Sequence, residues 1–204
     1  RDSVCPVALP AGAGSAQRHH GQPAMNRAFL IMLLATAAAA QEIDGVTVPA
    51  TAQIAGQEVP LRGAALLRWK WLVKVYVAAC WLPAGTTADQ AMAATPKRFA
   101  FTYRRAFSAE DLIKATSGTI TEGLDAAQQQ ALVAPLAAWN AGYRAVQSGD
   151  RIDIDHLADG TVVMAQNGAE LVRVTDQAFA TALSAIWLGK DTFDSGLRKR
   201  LLSE

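Results

Sequence analysis

Between Val73 and Leu82 the chain alternates two kinds of side chain at period two. Val73, Val75, Val77, Ala79 and Trp81 fall on one side, and Lys74, Tyr76, Ala78, Cys80 and Leu82 on the other, as a strand places them. The apolar and aromatic content makes this a buried strand. The first face is expected to be core. The second, with an ammonium and a phenol among small residues, suits the floor of a pocket. Just upstream, Arg68 sits between Leu67 and Trp69, a cation embedded in the apolar run Leu61 to Leu82.

The flanking pattern supplies the other elements. Gln41 to Glu58 reads as extended, with Gly45 and Gly56 as turn points. Residues 86–96 form a short Ala-rich helix or loop closed by Pro96. Arg98 to Tyr103 alternates as a strand with Phe99, Phe101 and Tyr103 on one face. Ser108, with Asp111 three residues on, marks a helix start that continues through Leu112, Ile113, Thr116 and Ile120. Leu132, Leu136, Trp139, Tyr143 and Val146 recur at helical spacing, and Pro135 signals either a kink or a start near Ala134. Asp150 to Leu157, Thr161 to Gln166 and Ala169 to Val174 are three strands turned at Asp159-Gly160 and Asn167-Gly168, dipeptides that tolerate positive φ. Asp176 caps a helix stopped at Gly189, and a last helix runs from about Asp194. Strands gathered into one antiparallel sheet, with helices between and after them, predict an α+β fold with the helices layered on one side.

At 204 residues, 51% hydrophobic and 18% charged, the chain is sized for one domain with a real core. Its N-terminus reads differently. Met25-Asn-Arg27 is a basic start, Ala28 to Ala40 is uncharged, and Ala38-Ala39-Ala40 fits small-residue cleavage. That is a signal peptide over 25–40 rather than a membrane span, and the competing reading is a buried helix of the fold. Residues 1–24 read as an upstream extension outside the fold, 41–204 as the domain, and the product as exported to the periplasm or secreted. Without residues 1–40, acidic side chains outnumber basic ones by one, so no nucleic-acid partner is expected. One histidine, His156, and one cysteine, Cys80, remain. Neither a zinc site nor an internal disulfide can be built from them, and no cofactor is expected. His156, between Asp155 and Leu157, is placed at the surface.

Several stretches together resemble the chalcone isomerase-like proteins, specifically their exported bacterial branch. These are Gly45-Val-Thr-Val-Pro49, Gly63-Ala-Ala-Leu-Leu-Arg68 running into Lys74-Val-Tyr-Val-Ala-Ala-Cys-Trp-Leu82, Gly149-Asp150, Asn167-Gly168, Phe179 to Gly189 and Leu197 to Leu202. The resemblance covers nearly all of residues 43–202. It implies an open-faced β-sandwich, a large antiparallel sheet covered on one face by helices, with a ligand cleft between the two layers. It also implies two occupations: plant-type enzymes cyclise chalcones to flavanones, and a related branch binds fatty acids without catalysis.

Cyclisation needs a held phenoxide and stabilised enolate charge. Arg68 matches the family's arginine, although Ala-Leu-Leu-Arg stands where Ala-Gly-Leu-Arg is usual. Tyr76 occupies the strand position of a plant threonine. The plant tyrosine–asparagine pair on the following helix has no counterpart in Ser108 with Ala115 or in Phe107 with Lys114. Ile186 replaces a hydroxyl residue near the C-terminus and cannot hydrogen-bond. One cation at the mouth of an apolar cleft suits an amphipathic carboxylate such as a fatty acid. The expectation is therefore a binding protein with Arg68, Tyr76, Cys80 and Ile186 at the ligand. The alternatives are an isomerase using Arg68 and Tyr76, and a structural protein whose cleft its own side chains fill. Each of these residues also has a structural role open to it: Arg68 as an ion-pair partner of Asp150 or Glu110, Lys74 reaching the sheet edge, Tyr76 as a core phenol, Cys80 as an inert thiol.

Overall fold

The computed structural model describes residues 40–204, so the proposed extension over 1–24 and the leader up to residue 39 lie outside the described residues. Two short strands, β1 (Gln41–Ile43) and β2 (Val46–Val48), pair across a turn in which Asp44 and Gly45 both take positive φ. Next come β3 (Thr51–Ile54), the long β4 (Gln57–Trp69) and β5 (Val73–Trp81). A short helix α1 (Ala88–Met92) leads to β6 (Lys97–Tyr103), then to α2 (Ala109–Thr121) and α3 (Ala126–Asn140). The meander β7 (Arg151–His156), β8 (Thr161–Gln166) and β9 (Ala169–Thr175) precedes α4 (Gln177–Leu188) and α5 (Ser195–Leu202). Strands β3 to β9 form one antiparallel sheet in sequence order, and the helices cover one face.

Each helix start is fixed by a side-chain cap. Thr87, Ser108 and Asp125 make capping boxes with Gln90, Asp111 and Gln128, and Asp176 and Asp194 accept from Phe179 and Leu197. Such caps are each worth about 1 kcal/mol.

Both faces of the sheet are covered, which alters the expected reading of β5. Tyr76, Ala78, Cys80 and Leu82 face the helices and, with Phe99, Phe101, Ile152, Ile154, Phe179 and Leu183, belong to the main core. Val77, Ala79 and Trp81 belong to a smaller core on the opposite face, closed by Val48, Ile54 and Val59. A bulge shifts the β4–β5 register between Leu67 and Arg68, whose partners are Tyr76 and Lys74. The extra residue, Val75, turns with Tyr76 toward the helical side, so Val73 and Val75 line a cavity there, Val75 packing against the main core as well. The residues 40–204 supply both cores and form one compact unit, a domain able to fold on its own.

Three further expectations change. Helix α3 begins at Ala126 and ends at Asn140, with Pro135 inside it. Tyr143 and Val146 lie beyond its end, and Val146 bridges to Phe107. Just past that end, Gly142 lies so close to Val172 that a Cβ there would meet its Cγ1 at 2.4 Å. His156 is buried, not superficial, because β7 turns Ile152, Ile154 and His156 inward together. Its ring stands edge-on to Phe99, and its Nδ1 lies 3.4 Å from Ser184 Oγ. Lys74 reaches Asp44 in the β1–β2 turn at 2.5 Å, an anion also approached by Arg104 at 3.1 Å.

Helix α5 presses on the sheet at Gly63. A Cβ at that position would lie 2.0 Å from the Arg200 carbonyl oxygen, so only a glycine permits the contact. Arg62 Nε donates to Leu202 O at 2.8 Å and Ser203 Oγ donates to Arg62 O, fastening the same junction. Among the described residues no helix is long and apolar enough to cross a membrane.

Candidate ligand-binding cavity

A cavity of about 740 Å³ opens between the β4–β5 end of the sheet and helices α2 and α4. Its space comes from the sequence of α2. The cap at Ser108 sets the helix phase, so Leu112, Ala115, Thr116 and Thr119 face inward, and three of these four are small. The sheet contributes Leu67, Val75, Tyr76, Phe101, Tyr103, Ile152 and Ile154, and α4 contributes Ile186 and Trp187. Most of this surface is apolar.

Two phenols stand side by side on its sheet wall. Tyr76 and Tyr103 are direct partners across β5 and β6, with ring centroids 5.8 Å apart. Trp187 Nε1 donates to the Tyr76 hydroxyl at 3.4 Å, which leaves the phenol's own proton free to donate to a ligand. Tyr103 is 7% exposed. Among the described residues its hydroxyl has no hydrogen-bond partner, and it lines the cavity. Burial, first of all, raises both phenols above their ordinary range, so both remain neutral donors at physiological pH. Tyr143 is different: its hydroxyl shares a 2.7 Å hydrogen bond with Thr116 and accepts from Trp139 Nε1 at 3.3 Å. That phenol is a structural tie in the wall.

Cations collect at the rim. Arg68 is exposed there, with Lys70 and Arg105. Neither expected ion pair of Arg68 forms. Asp150 instead accepts from Gln147 N and Asn167 Nδ2, and Glu110 makes no salt bridge among the described residues. Arg68 pairs with Lys74 in the ladder, two residues before Tyr76 on β5, a distance of about 7 Å along a strand. The hydrogen bond from Lys74 holds the Asp44 carboxyl below its ordinary range, and the charge of Arg68 adds to this more weakly.

Of the four residues expected at a ligand, Arg68, Tyr76 and Ile186 border the cavity. Cys80 does not. It is fully buried deeper along β5, and burial pushes its thiol up to about 12. Its neighbourhood is a second polar cluster, beyond the cavity. There Lys97, 1% exposed, donates to Ala93 O at 3.0 Å. Desolvation lowers Lys97 to about 8 and takes His156 well below its ordinary value. Of the two helix pairs weighed above, Ser108 with Ala115 and Phe107 with Lys114, each places one member at the cavity, Ala115 and Phe107 respectively. Tyr103 is the functional candidate the sequence reading placed only among strand aromatics. Its signal was its position opposite Tyr76. No group of His, Cys, Asp or Glu among the described residues is arranged to hold a metal ion.

Fold and cavity define a class: a curled antiparallel sheet holding a ligand-sized space beneath a helical layer. A family model described as chalcone isomerase-like matches residues 40–203, and the chain belongs to that family. Among solved structures it resembles the Arabidopsis thaliana fatty-acid binding protein AtFAP1, with a TM-score of 0.60 and 13% identity over 80% of this chain and 95% of that one. At that identity the likeness concerns the fold. A search of curated proteins finds no match.

Proposed function

We propose that this protein binds an amphipathic carboxylate, of fatty-acid type, without catalysing its conversion. The observation that carries this reading is a cavity of about 740 Å³ that is apolar in depth and has its free hydrogen-bond donors near the mouth. Volumes of this order accept a small lipid-like molecule and speak against a cleft filled by its own side chains. The carboxylate lies just inside the mouth, where Tyr76 and Tyr103 donate to it and Arg68 supplies positive potential. The hydrocarbon chain runs against Phe101, Ile152, Ile154, Ile186 and Trp187. The similarity to a fatty-acid binding protein supports the same assignment.

An isomerase would have to hold a phenoxide and orient it against an enone within the cavity. Here the cation sits exposed at the rim and Ile186 stands where a hydroxyl would be needed. The leader over residues 25–40 makes export part of the same proposal.

Calorimetric titration of residues 41–204 with dodecanoate, run beside an assay with 2′-hydroxychalcone, tests the reading. The expected result is saturable binding with Kd on the order of 1 μM and chalcone loss at the spontaneous rate. Chalcone cyclisation above that rate without dodecanoate binding would overturn it.

A further inference from the structure

Large exposed hydrophobic side chains are concentrated at one place. Of the five among the described residues, Trp69, Trp71 and Leu72 stand at the β4–β5 turn, with Trp71 90% and Leu72 85% exposed. A fourth, Phe193, lines the rim of the same cavity as Trp69. Nothing in local folding asks for an indole here. Lys70 and Trp71 take φ of 47° and 65°, a left-handed pair that Asn-Gly forms without strain and that bulky side chains rarely adopt. An aromatic residue so exposed, in so unfavourable a conformation, directs attention to what it touches outside the molecule.

The surrounding charge narrows the partner. Arg68, Lys70 and Arg105 are exposed around the turn and rim, with no salt bridge among the described residues, and Lys70 Nζ lies 4.5 Å over the Trp69 ring. Lys74 and Arg104 are engaged by Asp44. The carboxylates at the same mouth cap helices, Asp111 accepting from Ser108 N and Oγ and Asp194 from the Leu197 N–H. The result is a protruding aromatic tip in a positive field.

We propose that the β4–β5 turn docks the cavity mouth on an anionic phospholipid surface. Trp69, Trp71 and Leu72 enter the headgroup layer, where indoles with an apolar body and a polar N–H are favoured. Arg68, Lys70 and Arg105 meet lipid phosphates, as basic residues beside an anionic bilayer do. A second copy of the chain fits the patch less well, because a stable pair needs about 800 Å² of matched surface on each partner and a three-residue turn offers a point rather than a face. Docking also places the mouth where an amphipathic ligand can pass from bilayer to cavity without crossing water. That consequence rests on the proposed function; the docking itself does not.

Flotation of residues 41–204 with vesicles of phosphatidylcholine, alone or mixed with phosphatidylglycerol, is the test. The wild type is expected to float with the mixed vesicles at low salt. Trp71→Ser with Leu72→Ser should lower partition at least about tenfold, and Lys70→Gln with Arg105→Gln about fivefold per cation, the latter difference fading at high salt. Trp71→Asn suits the turn and guards against folding loss. Dodecanoate titration of the Trp71→Ser, Leu72→Ser variant in solution should be unchanged. A wild type that ignores the mixed vesicles, or a tip variant that floats as well as wild type, overturns the docking. So does a dimer in solution that the tip substitutions abolish, which would assign the patch to a second copy. Docking without dodecanoate binding would instead sink the ligand reading alone.

Discussion

Replacing Tyr103 by phenylalanine removes one oxygen and preserves the ring that packs against Tyr76 and Phe107. Because that hydroxyl has no partner among the described residues, the empty protein should lose no stability. Ligand binding should respond otherwise. A hydrogen bond to a charged acceptor is worth about 1.5–3 kcal/mol, which weakens dodecanoate binding roughly 10- to 150-fold. Calorimetric titration and thermal unfolding of the same preparation read both quantities. Tyr143→Phe is the matched control: its hydroxyl is tied to Thr116 and Trp139, and its loss should cost about 1–2 kcal/mol of stability. Unchanged dodecanoate affinity in Tyr103→Phe would remove Tyr103 from the site. A stability loss equal to that of Tyr143→Phe would refute the claim that the hydroxyl is free.

Other consequences are equally direct. Gly63→Ala places a Cβ 2.0 Å from Arg200 O and 2.9 Å from Leu201 O; α5 must shift, and urea unfolding should show a loss of about 3 kcal/mol. Lys97 titrates at about 8 in the folded protein against 10.5 ordinarily, so between pH 8 and 9 the unfolded chain holds a proton the folded one has released. Stability should therefore rise by about 1 kcal/mol across that unit, an increase absent in Lys97→Met; above pH 9 the Cys80 thiol, raised to about 12, opposes it. Arg68→Ala removes an exposed cation and should weaken dodecanoate binding about two- to fivefold at low salt, with little effect in concentrated salt.

Periodicity made the strands legible, but not what covers them. Asp159-Gly160 and Asn167-Gly168 mark the meander because each dipeptide tolerates the backbone of its turn, and both turns lie where those residues predict. The alternation of Ile152, Ile154 and His156 likewise shows an inward histidine once the strand is allowed to outweigh the residue's polarity. By contrast, the second apolar face of β5 is buried by β1–β2 and β3, whose short segments carry little pattern of their own. The bulge beside Leu67 and Arg68 shifts Val75 into the cavity, and a single strand cannot register a mismatch with its neighbour. Cys80 was expected at the ligand because it shares the Tyr76 face, yet face alone does not give depth. The cavity itself arises from Ala115, Thr116 and Thr119 lying opposite Tyr76 and Tyr103, a juxtaposition created only by the fold.

Native mass spectrometry of residues 41–204 purified from the natural source shows whether the cavity carries a fatty acid. A co-purifying fatty acid is expected, retained by Tyr143→Phe and lost when Tyr76 and Tyr103 are both replaced by phenylalanine. An empty wild-type protein that accepts no dodecanoate and converts 2′-hydroxychalcone to the flavanone would contradict it.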